Sequence, residues 1–145
     1  MEAQARAVNG RKHNGGPEPV RTWDQGFVGA SPGRVFEVLR EPEGYPAWWP
    51  GVRRLGDGRL RLPGMRPATV TVDRVRPGVG LFVRLSGGPG GLEGHLEWYL
   101  EPFEEGTMVN GITDLGAGRR WPPRRVLRIR SGLRSAMVAL KEMLE

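Results

Sequence analysis

The sequence predicts an α+β domain in which a curved antiparallel sheet wraps around one long C-terminal helix, with two short helices after the first strand. Three observations predict it. From Val52 to Leu115 the chain is a succession of short segments in which apolar and polar residues alternate, separated by Gly- and Pro-rich turns. From Trp121 onward the apolar spacing switches to steps of three and four, the period of a helix. No strand–helix–strand repeat occurs, so a doubly wound parallel sheet is not expected. The chain has 145 residues, the length of one ordinary domain. Its 23 glycines and 13 prolines supply the turns and kinks that let a sheet curl around a helix.

Residues 1–20 hold almost no apolar side chain and are expected to be a disordered tail, leaving residues 21–145 as the domain. A strand over Arg21–Val28 follows, with Trp23 as its anchor. Ser31-Pro32 reads as a helix N-cap followed by proline at the first helical position. Val35, Phe36 and Leu39 give that helix its apolar stripe, and it ends near Arg40 before Pro42. Gly44 to Pro50 is a second short helical turn or compact loop, closed by prolines on both sides. Trp48 and Trp49 within it are not expected to point the same way, so one belongs to the core and the other lies nearer a rim.

Val52–Leu55 and Arg59–Leu62 flank Gly56-Asp57-Gly58, a hairpin or bulge signal. Ala68–Val75 alternates, with Val70 and Val72 on one face and Thr69, Thr71 and Asp73 on the other. After the turn Arg76-Pro77-Gly78, Gly80–Leu85 places Leu81, Val83 and Leu85 on a shared face. The clearest strand is Leu92–Leu100. Leu92, Gly94, Leu96, Trp98 and Leu100 face a core, while Glu93, His95, Glu97, Tyr99 and Glu101 face water. Pro102 to Gly106 turns the chain into a last strand, Thr107–Leu115. Trp121-Pro122-Pro123 then opens an amphipathic helix of about twenty residues, with Val126, Ile129, Leu133, Met137, Leu140 and Leu144 in line and Ala136 and Met143 beside them. Gly132 costs this helix up to about 1 kcal/mol in propensity, so it marks a bend or a close approach to something bulky.

The net charge is +6 and sits at the C-terminus: residues 116–145 carry eight bases and two acids, whereas residues 21–115 are nearly balanced. Arg119, Arg120, Arg124, Arg125, Arg128, Arg130 and Arg134 have no acid among them. The patch reads first as a solvated helix face in a chain whose bases are nearly all arginine. Binding to nucleic acid or an anionic membrane through it is the alternative.

Absence of cysteine excludes disulfides, thiolate nucleophiles and Cys-ligated metal, and two histidines are too few for a His₂ or His₃ site, His13 lying in the tail. No metal and no cofactor is expected. Phosphate-loop, HExxH, GxSxG and calcium-loop patterns are all missing, and Gly87 to Gly91 lacks the Lys and helix that a phosphate loop needs. No apolar run approaches the 18 or so residues of a membrane span. The first ten residues lack the apolar core of a signal peptide, so a cytoplasmic protein is expected.

Several segments together resemble the START-like, Bet v 1-like (SRPBCC) helix-grip superfamily, in its polyketide cyclase/dehydrase-like branch. These are Ala30-Ser31-Pro32 with Val35 to Leu39, Tyr45 to Val52, Leu92-Glu93-Gly94 with Glu97-Trp98, Leu100-Glu101-Pro102, Gly106-Thr107 with Val109, and the closing Leu140-Lys141 and Leu144-Glu145. The resemblance covers residues 21–145. It implies a helix-grip domain holding a small hydrophobic or aromatic, polyketide-like ligand between sheet and helix, with aldol-type cyclisation or dehydration as one activity of the group. It carries over no catalytic motif. The short Gly116–Pro123 segment departs from the longer lids of lipid-binding relatives.

A pocket on the inner sheet face would be lined by Leu81, Val83, Leu85, Leu96 and Trp98, by Ile129, Leu133 and Met137 of the helix, and at its edge by Trp48 and Trp49. Asn110 joins them if its face of the last strand turns inward, where it would bond a ligand carbonyl. Val109 and Leu115 define the opposite choice, which leaves Asn110 and Asp114 on the surface. Candidate polar groups for chemistry are Asn110, Asp114, Arg84 and Tyr99, with Tyr45 as a further group that could orient a ligand. His95 is assigned to the wet face. The alternatives to an enzyme are a non-enzymatic carrier or sensor using the same pocket, and the basic interaction module. A homodimer remains open.

Overall fold

The cap and proline signals at the start of the first helix have structural counterparts in the computed structural model, which describes residues 19–88, 91–116 and 121–145. The elements in order are strand β1 (Val20–Val28), helices α1 (Pro32–Leu39) and α2 (Tyr45–Trp48), strands β2 (Arg53–Arg54), β3 (Leu60–Arg61), β4 (Thr69–Arg76), β5 (Gly80–Ser86), β6 (Glu93–Phe103) and β7 (Gly106–Leu115), and helix α3 (Pro123–Leu144). A single 3-10 turn, Pro42–Gly44, joins α1 to α2. The Ser31 hydroxyl accepts from the Arg34 N–H at 3.3 Å and Pro32 opens α1, as the sequence required. Most of the expected disordered tail lies outside the described residues. Strand β1 begins one residue inside it, at Val20.

Five strands form one antiparallel sheet in the order β1-β7-β6-β5-β4, and β2 and β3 form a separate two-stranded hairpin. Helix α3 lies across the concave side. Two expectations need correction. Pro102 does not turn the chain: β6 runs on to Phe103, and only Glu104-Glu105 separate it from Gly106, with Glu104 at φ +53°. The proline is tolerated because Leu100 already bonds Val79, beyond the end of β5, so the donor missing at Pro102 faces no strand. In β4 the pairing slips between Val72 and Arg74, a bulge at Asp73. Arg74 is thereby paired with Phe82 and lays its guanidinium 4.4 Å from that ring's centre.

The core is the layer between sheet and α3. Leu81, Val83, Leu85, Leu92, Leu96, Trp98 and Leu100 enter it from β5, β6 and the residue before β6, and Val109 and Leu115 from β7. Ile129, Leu133, Ala136, Met137, Leu140 and Leu144 enter from α3. Met143, expected beside this stripe, is instead 44% exposed, on the flank of the helix turned to water. Gly132 is a close-approach residue: a Cβ there would stand 2.5 Å from the Pro63 Cβ, in the loop after β3.

Candidate functional site

The curvature of the sheet decides where room exists. Along β1 the helix lies close: a Cβ added at Gly26 would stand 3.2 Å from the Met137 Cβ, the Gly29 N–H donates to Glu145 at 2.7 Å, and Arg134 pairs with Asp24 at 2.8 Å. From β7 toward β4 the backbone of α3 leaves the sheet behind, and side chains alone bridge the widening wedge. Its narrow part is filled. Trp98, Leu133 and Met137 meet over Gly111, where a Cβ would lie within 3.1 Å of all three.

Aromatic residues plug the middle of the wedge. Tyr45, Trp49 and Trp98 are all at most 3% exposed. Trp49 stands edge-on to Trp98 with centroids 5.9 Å apart. Each polar tip has a partner. The Trp49 indole donates to the Gly132 carbonyl at 2.9 Å, the Trp98 indole to the Tyr45 hydroxyl at 3.1 Å, and that hydroxyl to the Leu39 carbonyl at 2.6 Å. Burial pushes the Tyr45 phenol far above its ordinary pKa, despite the Trp98 hydrogen bond that favours the anion. Trp48 and Trp49 do divide between rim and core, but their rings are not splayed: they stack at 5.9 Å and 22°. The reason is that α2 ends at Trp48 and Trp49 is already extended.

The wide part is less completely covered. Val70 and Val72 of β4 share a face with buried Leu85 and Val83, yet both remain partly exposed. Trp48 and Trp121 are likewise half-buried against the core. The Nε1 atoms of Trp48 and Trp121 are both shielded from solvent and have no hydrogen-bond partner among the described residues. A buried donor without an acceptor costs about 1–3 kcal/mol, so two such indoles, each half-buried against the core, are informative.

The pocket-lining residues named from the sequence therefore fall into groups. Leu81, Val83, Leu85, Leu96, Trp98, Ile129, Leu133 and Met137 share the inner layer, with Trp49 within it and Trp48 at its rim. Asn110 is not among them. Val109, Gly111, Thr113 and Leu115 are the inward residues of β7, so Asn110 and Asp114 stand on the convex face. There the Gln25 side chain donates to Asn110 at 2.9 Å, and Arg21 pairs with Asp114. Arg84 and Tyr99 occupy the same outer face, and His95 packs edge-on to Phe82 there. Glu97 is the exception on this wet face: it is 7% exposed, between Phe82 and Ile112 on its neighbouring strands, and accepts from the Tyr99 hydroxyl at 2.9 Å. Partial burial, together with that bond and the carboxylate's charge, pushes the Tyr99 pKa up to about 12. The four candidate polar groups thus lie on the side of the sheet away from α3. Val70, Val72 and Trp121 were missing from the site read from sequence. The alternation of β4 put both valines on one face, but nothing in the sequence signals how far a strand sits from the helix.

No family model matches this chain, and no curated protein matches it. Solved structures do. A START superfamily protein from Mycobacterium smegmatis superposes with a TM-score of 0.65 at 18% identity, over 86% of this chain and 96% of that one. The Aha1 dimer from Colwellia psychrerythraea gives 0.64 at 17%, over 87% and 96%. The di-domain ARO/CYC StfQ from the steffimycin biosynthetic pathway gives 0.57 at 18%, over 87% of this chain and 52% of StfQ, so this chain spans about half of that protein. At these identities the likeness shows the fold alone: a curved antiparallel sheet gripping one long C-terminal helix.

Proposed function

We propose that this domain binds a compact apolar or aromatic molecule carrying a hydrogen-bond acceptor, at the wide end of the wedge, and holds it without altering it. The observation that carries the reading is that the sheltered indole N–H groups of Trp48 and Trp121 have no acceptor among the described residues, while both side chains, like Val70 and Val72, are only partly covered where they pack on the core. A guest bearing a carbonyl, ether or hydroxyl oxygen would satisfy them while its apolar body covered Val70 and Val72. An aromatic, polyketide-like guest is the version favoured by the likeness to StfQ.

Carriage is favoured over cyclisation by what faces inward. Among the described residues, the buried polar side chains on the inner side are Thr22, Thr107, Thr113 and Tyr45, and the one buried carboxylate, Glu97, is on the other side of the sheet. Cyclisation needs a group that takes a proton near neutral pH. Tyr45 is the wrong kind of group, since its hydroxyl is already committed to Leu39 and held neutral by burial.

The test uses 2-naphthol, a neutral aromatic with one oxygen, titrated against the protein's tryptophan fluorescence. Saturable quenching is expected. Trp48→Phe and Trp121→Phe should each weaken it about fivefold, the value of one hydrogen bond near 1 kcal/mol. Val72→Phe should abolish it by filling the space. Unchanged binding in all three variants would place the guest elsewhere and end this reading.

A further inference from the structure

On the flank of α3 a second concavity has the opposite chemistry. It lies between the β2–β3 hairpin and the helix, has a volume of about 490 Å³, and brings together Arg53 and Arg61 from the hairpin with Arg125 and Arg128 from α3. Ser131 and Ser135 continue the same wall of the helix. None of the residues lining it is a carboxylate, and none of the four arginines pairs with an acid among the described residues. A neighbouring hollow at Pro122, Pro123 and Arg124 shares Arg125 and Arg128 with it, so the basic groove extends toward the start of the helix.

Two features separate this groove from an ordinary solvated basic face. Arg53 and Arg61 are directly opposite in the hairpin, and like charges at paired positions destabilise a ladder that here is only two residues long on each side. Arg125 and Arg128 are three apart, which puts them on one helix face, turned to that hairpin. Four guanidinium groups thus converge from two elements on a space that supplies no counter-charge of its own. The arginine-rich C-terminal segment is accordingly not one patch. Arg124, Arg125 and Arg128 line the groove and its extension, Arg134 is paired with Asp24, and Arg119 and Arg120 lie outside the described residues.

We propose that this groove is a binding site for a small multivalent phosphate, a diphosphate or an organic phosphate with at least two anionic groups. Planar guanidinium forks match phosphate oxygens two at a time, and a diphosphate can engage hairpin and helix arginines together. The described lining contains no aromatic ring on which a base could stack, which favours recognition of the phosphates themselves. The site is separate from the apolar wedge, and neither proposal depends on the other.

The experiment is calorimetric titration of the full chain with inorganic pyrophosphate at low salt. The expected result is saturable one-to-one binding that also raises the melting temperature. The double variant Arg53→Gln/Arg61→Gln should weaken it at least tenfold, and Arg128→Gln, on the exposed helix surface and harmless to the hairpin, several-fold. Arg130→Gln, on α3 but outside the groove, should change it less than twofold. Vesicles containing phosphatidic acid and a 20-base-pair DNA duplex serve as the other arms, each with and without pyrophosphate. Pyrophosphate displacing either one leaves the groove as the site. Equal losses from Arg130→Gln and Arg128→Gln, or binding to vesicles or DNA that pyrophosphate neither shares nor displaces, would overturn the proposal.

Discussion

Beneath α3 the two ends of the wedge are built from similar apolar residues, but they are filled differently. Over β1 and β7 the space is so tight that a Cβ at Gly26 or Gly111 would crowd Met137, and at Gly111 Trp98 and Leu133 as well. Toward β4 the same sheet has curved away, and Val70, Val72, Trp48 and Trp121 are left partly uncovered. Hydrogen bonding follows the same division. The indoles of Trp49 and Trp98, in the filled part, have partners, whereas those of Trp48 and Trp121 have none among the described residues. One continuous layer thus provides stability at its narrow end and leaves unsatisfied surface at its wide end.

The sharpest way to break this contrast is to empty the narrow end. Trp98→Ala removes a fully buried indole from three packed neighbours and should destabilise by about 3–5 kcal/mol in urea unfolding. A loss below 1 kcal/mol would mean that the narrow end is not packed as described. Gly132→Ala comes next. It would raise helix propensity by up to about 1 kcal/mol, but its methyl would meet the Pro63 ring at 2.5 Å. Relieving that contact requires moving the loop after β3, so a net loss of roughly 1–3 kcal/mol is expected. A gain in melting temperature would show that the loop yields freely.

The alternation of β5 and β6 and the three-four spacing of α3 made the narrow end legible in the sequence, because burial and period are local properties. Gly132 was legible for the same reason, as a residue whose helix cost required a compensating contact. The inward face of β7 was not. Met108, Asn110, Ile112 and Asp114 mix apolar and polar side chains, so parity alone left two choices, and pairing with β1 and β6 settles it. The burial of Glu97 also escaped, since it depends on Phe82 and Ile112 lying beside it on other strands. Arg53 and Arg61 read as hairpin residues. Only the docking of that hairpin on α3 makes them part of a basic groove.

Tyr45 tests the boundary between the two ends with a smaller change. Tyr45→Phe keeps the ring but leaves the Leu39 carbonyl and the Trp98 N–H without their partner, a cost of about 1–3 kcal/mol. The protein's pH response follows from the same chemistry. The chain has two tyrosines, and both are held above the ordinary phenol value: Tyr45 chiefly by burial, Tyr99 at about 12 by burial and Glu97. A raised folded pKa favours the neutral form, so the stability they contribute is intact below about pH 10 and is lost as pH rises through the folded values. Absorbance at 295 nm should therefore stay flat through pH 10 in the folded protein and rise only toward pH 12 or with unfolding. A normal phenol titration near pH 10 for either residue would contradict its environment.

Val72→Ala should have the smallest effect on the free protein and the most diagnostic one on the contrast. The side chain faces inward yet is partly exposed, so losing two methyl groups removes little buried surface, and a cost under about 1 kcal/mol is expected. A well-packed valine would cost more, because a cavity term adds to the lost transfer energy. If the measured loss instead approached 2 kcal/mol, the wide end would be as tightly filled as the narrow one, and the two indole N–H groups would be left without room for a guest. A small loss combined with weaker retention of 2-naphthol would place the ligand against β4.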